Sequence, residues 1–239
     1  MNYERRIKLE SSNIRIGNIP AIIWGSHSKD VYIFVHGKMS KKEDALEFAE
    51  IAIKKGYHVL SFDLPEHGER KNEKYLCTIQ NGVKDLTDII NFAKKKWEKY
   101  NLFACSLGAY FSLVAYKNIT FDNCLFLSPI LDMEQLIKNM MKWFDVSEEK
   151  LEKNKEISTP MGETLSWDYY CYVKDNPVNI WNSPTYILYG TKDNLTEKSV
   201  VDLFVKKYNC KIELVENGEH YFQSPEQIEI LYKWFNNYI

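Results

Sequence analysis

Paired cysteines, long apolar runs and an excess of either charge are all missing from this sequence. Its five cysteines, Cys77, Cys105, Cys124, Cys171 and Cys210, are odd in number and widely spaced, with no C-x-x-C pair. That excludes a disulfide frame and a thiolate zinc site, and reads as free thiols in a reducing compartment. No stretch approaches the roughly 18 apolar residues of a membrane span, and the charged start through Arg5 and Arg6 lacks the apolar run of a signal peptide. A cytoplasmic location is the expectation. The 31 basic and 33 acidic residues leave a net charge of -2, and only four residues are arginine: Arg5, Arg6, Arg15 and Arg70. A nucleic-acid binder would need a clustered basic excess. With 10 glycines and 7 prolines in 239 residues, no Pro/Gly-rich linker marks a second independent domain, and neither a repeat nor a low-complexity tract is visible.

What is present is a globular composition, 45% hydrophobic and 27% charged. A chain of this length buries about three quarters of the surface its unfolded form exposes, enough for one core without a staple. Short apolar runs alternate with helix-period segments, which predicts a mostly parallel α/β sheet flanked by helices. The runs span 21–24, 31–35, 57–62, 102–105, 124–127, 185–189 and 211–215. Several are apolar on consecutive residues, as expected of strands covered on both faces. Helices are predicted over 79–97, where Ile79, Val83, Leu86, Ile90 and Ala93 recur at steps of three and four, and over 40–55, 107–117, 196–207 and 225–238, with Ser40 and Thr196 as N-caps. The interval 131–183 is too long for a simple connection and is predicted to carry structure of its own, including a helix over 133–144.

Ala104-Cys105-Ser106-Leu107-Gly108 joins a strand to a helix and comes close to the G-x-S-x-G elbow, which lifts a serine hydroxyl above a sheet edge. The sharp turn needs small residues two before and two after the serine; Ala104 stands where glycine is usual. A serine hydroxyl is a poor nucleophile without a base. Of the five histidines, His220 lies in a polar loop after the last predicted strand, where it is free to reach that edge. His58 opens a strand on the opposite edge, and His27 lies in an early turn. Asp193, directly after the run ending at Tyr189, is the favoured acid to orient His220, because a right-handed crossover sets the two flanking strands side by side. Asp132 is its rival. No H-x-x-x-H or H-E-x-x-H spacing, G-x-G-x-x-G motif or P-loop occurs, so neither metal nor cofactor is expected.

In the order Ser106, Asp193, His220 the sequence resembles the α/β-hydrolase superfamily, in its compact carboxylesterase and monoacylglycerol-lipase-like branch. Two further segments carry the resemblance: Val35-His36-Gly37-Lys38, similar to the His-Gly oxyanion loop, and Gly56 to Gly68, similar to the family's G-Y-x-V-x-x-x-D-x-P-G-H-G signature, with Glu66 in place of a glycine. The resemblance implies one α/β-hydrolase domain over 1–239 with 131–183 inserted as a helical cap, and an oxyanion hole formed by the Lys38 and Leu107 amides. It leaves His36, His67 and Asp63 structural roles. Its implied activity is serine hydrolysis of a small carboxylic ester through an acyl-enzyme. A thioesterase or peptidase of the same fold, or a catalytically silent protein whose aromatic insertion binds a ligand or partner, is the alternative. Met140, Trp143, Phe144, Trp167 and Tyr170 are expected to line the substrate pocket, unless they form the insertion's own core. The expected partner is a small-molecule ester; a homodimer stays open.

Overall fold

The computed structural model describes residues 9–239; the charged start with Arg5 and Arg6 lies outside the described residues. Successive side chains of a strand point to opposite faces, so a strand buried on both sides needs apolar residues at every position. In β3 (Asp30–Val35), Val31, Ile33 and Val35 enter one core while Tyr32 and Phe34 enter a second, on the other side of the sheet. The same division runs through β4 (His58–Phe62), β5 (Lys99–Cys105), β6 (Cys124–Leu127) and β9 (Thr185–Gly190). Burying each Val, Ile, Leu or Phe in this way contributes roughly 1.5–3 kcal/mol.

Eight strands lie in the order β1-β2-β4-β3-β5-β6-β9-β10. The five pairings from β4 to the edge strand β10 (Lys211–Val215) are parallel. At the other edge, β2 (Ile19–Trp24) pairs antiparallel with β4 and with β1 (Ser11–Ile16). β1 is absent from the sequence-based list because its residues are mostly exposed and polar. The signal for it was the turn, Gly17-Asn18, with Gly17 at φ 58° between the paired residues Ile16 and Ile19.

One face is covered by α2 (Ile79–Lys96) and α3 (Leu107–Ala115), the other by α1 (Leu46–Lys54) and α8 (Pro225–Tyr238), whose Phe235 meets Phe48 and Phe103 edge-on. The helix α7 (Lys198–Tyr208) connects β9 to β10. Two predicted caps are corrected. Thr196 precedes the cap of α7, which is Glu197, and its hydroxyl donates to the Pro129 carbonyl at 3.0 Å. Ser40 donates to Asp44 at 2.7 Å, and the short 3-10 turn ahead of α1 is capped by Lys41. The Thr196 hydroxyl bonds to a distant strand-end loop, whereas the Ser40 hydroxyl bonds to the Asp44 side chain within the 3-10 turn and not to a backbone amide.

The interval 131–183 holds α4 (Met133–Trp143), α5 (Glu148–Asn154), a hairpin of β7 (Glu156–Ser158) and β8 (Thr164–Ser166), and α6 (Trp167–Asp175). Its buried residues, among them Leu136, Met141, Leu165 and Val173, are continuous with the core on the α2 and α3 side. The hairpin strands have three residues each, too few to show a period of two.

Candidate functional site

The site is assembled at the carboxyl ends of the parallel strands. β5 ends at Cys105 and α3 begins at Leu107, so the single residue between them, Ser106, must reverse the chain; it does so at φ 49° and ψ -118°. An L-residue rarely adopts this conformation, and it persists only where neighbours enforce it. Here the Ser106 amide donates to Leu127 at 3.1 Å and its carbonyl accepts from Ile130 at 3.2 Å. Gly108 lets the elbow close on the end of β3: a β-carbon there would lie 2.4 Å from the His36 carbonyl oxygen and 2.6 Å from that of Val35. Ala104 is wholly buried in β5, so its additional methyl is accommodated in the core.

β9 and β10 run parallel as neighbours, so the loops that follow them emerge side by side. The Lys192 amide donates to Gly218 at 2.8 Å and the Thr191 amide to Val215 at 3.0 Å. Gly190 and Gly218 pack backbone to backbone, with no room for a β-carbon on Gly190. This contact brings Asp193 Oδ2 to 2.7 Å from His220 Nδ1, and His220 Nε2 to 2.8 Å from Ser106 Oγ. A carboxylate only accepts, so Nδ1 carries the proton and the lone pair of Nε2 faces the serine hydroxyl. The other Asp193 oxygen accepts from the Leu195 and Thr196 amides at 2.8 and 3.0 Å, which fixes the carboxylate plane. Asp132, the rival acid, instead caps α4 by accepting from the Gln135 amide at 2.9 Å. Ser106 and His220 are only 7% and 4% exposed.

Gly37 lies against the serine: a β-carbon on it would be 3.2 Å from Ser106 Cβ. Among the described residues neither the Lys38 nor the Leu107 amide donates to another backbone carbonyl. The Leu64 amide donates to His36 Nε2 at 3.0 Å, so His36 Nδ1 carries the proton and donates to the Gly37 carbonyl at 2.6 Å. Burial holds the His36 pKa down to about 4. Its unfolded value is near 6.5, so the neutral ring contributes stability that is complete above that pH and is lost as pH falls toward 4. Urea unfolding at pH 7 and pH 4.5 is expected to show wild type losing roughly 2–3 kcal/mol more than His36→Gln; equal losses would remove this role.

His67 bonds to the Pro65 carbonyl, and Asp63 accepts from the Lys42 amide, the Lys42 ammonium and the Glu69 amide at 2.9–3.0 Å. His58 accepts from the Trp97 indole at 2.7 Å on the far edge. Glu66 takes φ 61°, a conformation that suits the glycine of the motif; its carboxylate accepts from the Cys77 amide at 2.6 Å and ties down the following loop. Burial, then the Asp193 charge, push the Cys105 thiol up to about 12, so it stays protonated beside the serine.

The five aromatic and methionine candidates do not share one environment. Trp143 is 46% exposed, whereas Met140, Phe144 and Trp167 are partly buried against the core. Tyr170 is corrected: it is fully buried in the core on the α2 and α3 side and its hydroxyl donates to Glu148 at 2.6 Å, so it is a core residue and not a pocket wall. A groove of about 860 Å³ that includes Thr185 and Lys211 lies at the starts of β9 and β10, at the sheet edge opposite Ser106. Among the described residues no cluster of three or more His, Cys, Asp or Glu has the disposition of a metal site, and no helix is long and apolar enough to cross a membrane. Sequence reasoning missed Glu163, whose carboxylate pairs with the Lys38 ammonium across 125 residues; no local pattern announces such a pair.

No protein-family model matches the sequence, and no curated protein matches it. Solved structures do. Est1E from Butyrivibrio proteoclasticus, determined with ferulic acid bound, superposes with a TM-score of 0.73 at 16% identity over 95% of this chain and 96% of that one. Mouse alpha/beta hydrolase domain-containing protein 10 gives 0.74 at 15% identity, over 95% and 97% of the two chains. The chain has the α/β-hydrolase fold. A monoacylglycerol lipase from Paleococcus ferrophilus shares this α/β-hydrolase architecture with a TM-score of 0.66 at 18% identity, over 92% and 98%.

Proposed function

We propose that the protein is a serine hydrolase that cleaves small carboxylic esters through an acyl-enzyme. The observation that carries this reading is the unbroken hydrogen-bond chain from the Ser106 hydroxyl through His220 to Asp193, set on a strained elbow at the carboxyl edge of the sheet. In the first half-reaction Ser106 Oγ attacks the carbonyl carbon as His220 Nε2 takes its proton. The tetrahedral oxyanion is held by the Lys38 and Leu107 amides, donors that need no reorganisation as charge develops; losing one such donor typically costs on the order of 3 kcal/mol. His220 then gives the proton to the departing alkoxide. Water repeats the sequence on the acyl-enzyme, with His220 as base, and releases the acid. Asp193 holds the imidazole tautomer and stabilises the imidazolium formed at each step.

An ester is favoured over an amide because an alkoxide leaves with less assistance. The bound ferulic acid of Est1E, a carboxylic acid held by a protein of the same fold, supports an acid-derived substrate. The 131–183 insertion is then a cap that selects the substrate, with Met140, Phe144 and Trp167 as the apolar candidates for its inner wall.

A fluorophosphonate is expected to form one adduct, found by mass spectrometry on the peptide containing Ser106. p-Nitrophenyl esters of rising chain length are expected to turn over faster than matched thioesters and aminoacyl amides. An adduct on another residue would sink the nucleophile assignment, and a thioester outpacing its oxygen ester would move the activity to a thioesterase.

A further inference from the structure

The loop that would supply the first oxyanion amide contains a strained residue. Met39, directly after Lys38, sits at φ 63° and is 88% exposed. A residue with a β-carbon is disfavoured there, and an exposed side chain gains no packing to offset the cost. Something else must hold the turn. On its carboxyl side Asp44 does so, accepting from Ser40 Oγ at 2.7 Å and the Lys41 amide at 3.0 Å. On its amino side Gly37 is wedged against Ser106. Between these anchors the only side-chain tether of Lys38, among the described residues, is Glu163.

Glu163 is itself firmly placed. It stands at the tip of the β7–β8 hairpin, where its carbonyl accepts from the Thr159 amide at 2.7 Å and Gly162 turns the chain at φ 80°. The hairpin belongs to the insertion, so this ion pair ties the insertion to the loop beside the nucleophile.

We propose that Glu163 is a positioning residue: by holding the Lys38 ammonium it keeps the 38–39 turn in its left-handed form and the Lys38 amide directed at the oxyanion. This rests on the serine-hydrolase reading of Ser106. It assigns the insertion a part in transition-state stabilisation besides any part in substrate choice.

Steady-state kinetics on one p-nitrophenyl ester test it, with thermal melting to establish that each variant is folded. A half-exposed ion pair shifts an equilibrium by no more than about five-fold. Glu163→Gln is therefore expected to lower kcat by about three- to five-fold at low salt with KM unchanged, the signature of an interaction made in the transition state. Lys38→Met should match it, and the double variant should lose no more than either alone. Raising salt to about 0.5 M should bring wild type down toward the variants and leave them unmoved. Asparagine tolerates positive φ better than methionine, so adding Met39→Asn to Glu163→Gln should return kcat to within about two-fold of wild type. An unchanged kcat, a change confined to KM, additive losses, or failure of Met39→Asn to rescue would each overturn the inference while leaving Ser106 reactive to fluorophosphonate. A wild-type protein whose Ser106 does not label would overturn the serine-hydrolase reading, and this inference with it.

Discussion

Ser106→Ala is expected to lower kcat on a good ester by a factor on the order of 10⁶, His220→Ala by a similar factor, and Asp193→Asn by about 10⁴. The hierarchy follows from the hydrogen bonds. Without Oγ there is no nucleophile for His220 Nε2 to activate across 2.8 Å. Without the imidazole the hydroxyl keeps its proton. In Asp193→Asn the ring survives, but an amide nitrogen facing Nδ1 at 2.7 Å would favour the tautomer protonated on Nε2, which has no lone pair for the serine. Because the three act as one unit, the Ser106→Ala/His220→Ala double variant should be no slower than either single variant. Asp132→Asn serves as the control acid, since asparagine caps a helix as well as aspartate does, and kcat should stay within about two-fold of wild type. Equal damage from Asp132→Asn and Asp193→Asn would remove the assigned acid, and fluorophosphonate labelling that persists in Ser106→Ala would remove the nucleophile.

Gly108→Val is expected to cost about 4 kcal/mol or more of folding stability, measured by urea unfolding, and to abolish turnover even where folded protein is recovered. At this position the first atom beyond Cα already meets two backbone carbonyls, at 2.4 and 2.6 Å, so relief requires moving either the end of β3 or the start of α3. Either movement changes the distance between Gly37 and Ser106, the gap in which the oxyanion would lie. The matched change Ala109→Val, one residue along α3 at a buried site, reports ordinary overpacking of roughly 1–3 kcal/mol. If the two variants lose the same stability, the close approach at Gly108 is not what limits the elbow.

The central strands were legible because double-sided burial writes itself as unbroken apolar residues, as in Tyr32-Ile33-Phe34-Val35. The residues of the candidate triad were legible because elbow and loop chemistry sit beside such strands, and the crossover rule brings the loops after β9 and β10 together. β1 left little trace, since an edge strand with five of six residues at least partly exposed needs no apolar pattern. The caps at Ser40 and Thr196 were misread because a hydroxyl near a helix start has partners other than the helix amides: for Thr196 the distant Pro129 carbonyl, for Ser40 the nearby Asp44 side chain. Tyr170 was misplaced because an aromatic residue in an insertion serves a core or a pocket with the same composition. Neither the Lys38 pairing with Glu163 nor the contact between Gly190 and Gly218 has a local signature; each exists only after the chain has closed on itself.

His220 hangs from β10, and that ribbon is bonded to the rest of the sheet along a single margin. On warming, a strip fastened on one side peels before those clamped on two. The imidazole would be carried off while the middle of the molecule still stands intact, so heat would silence such an enzyme in advance of melting it.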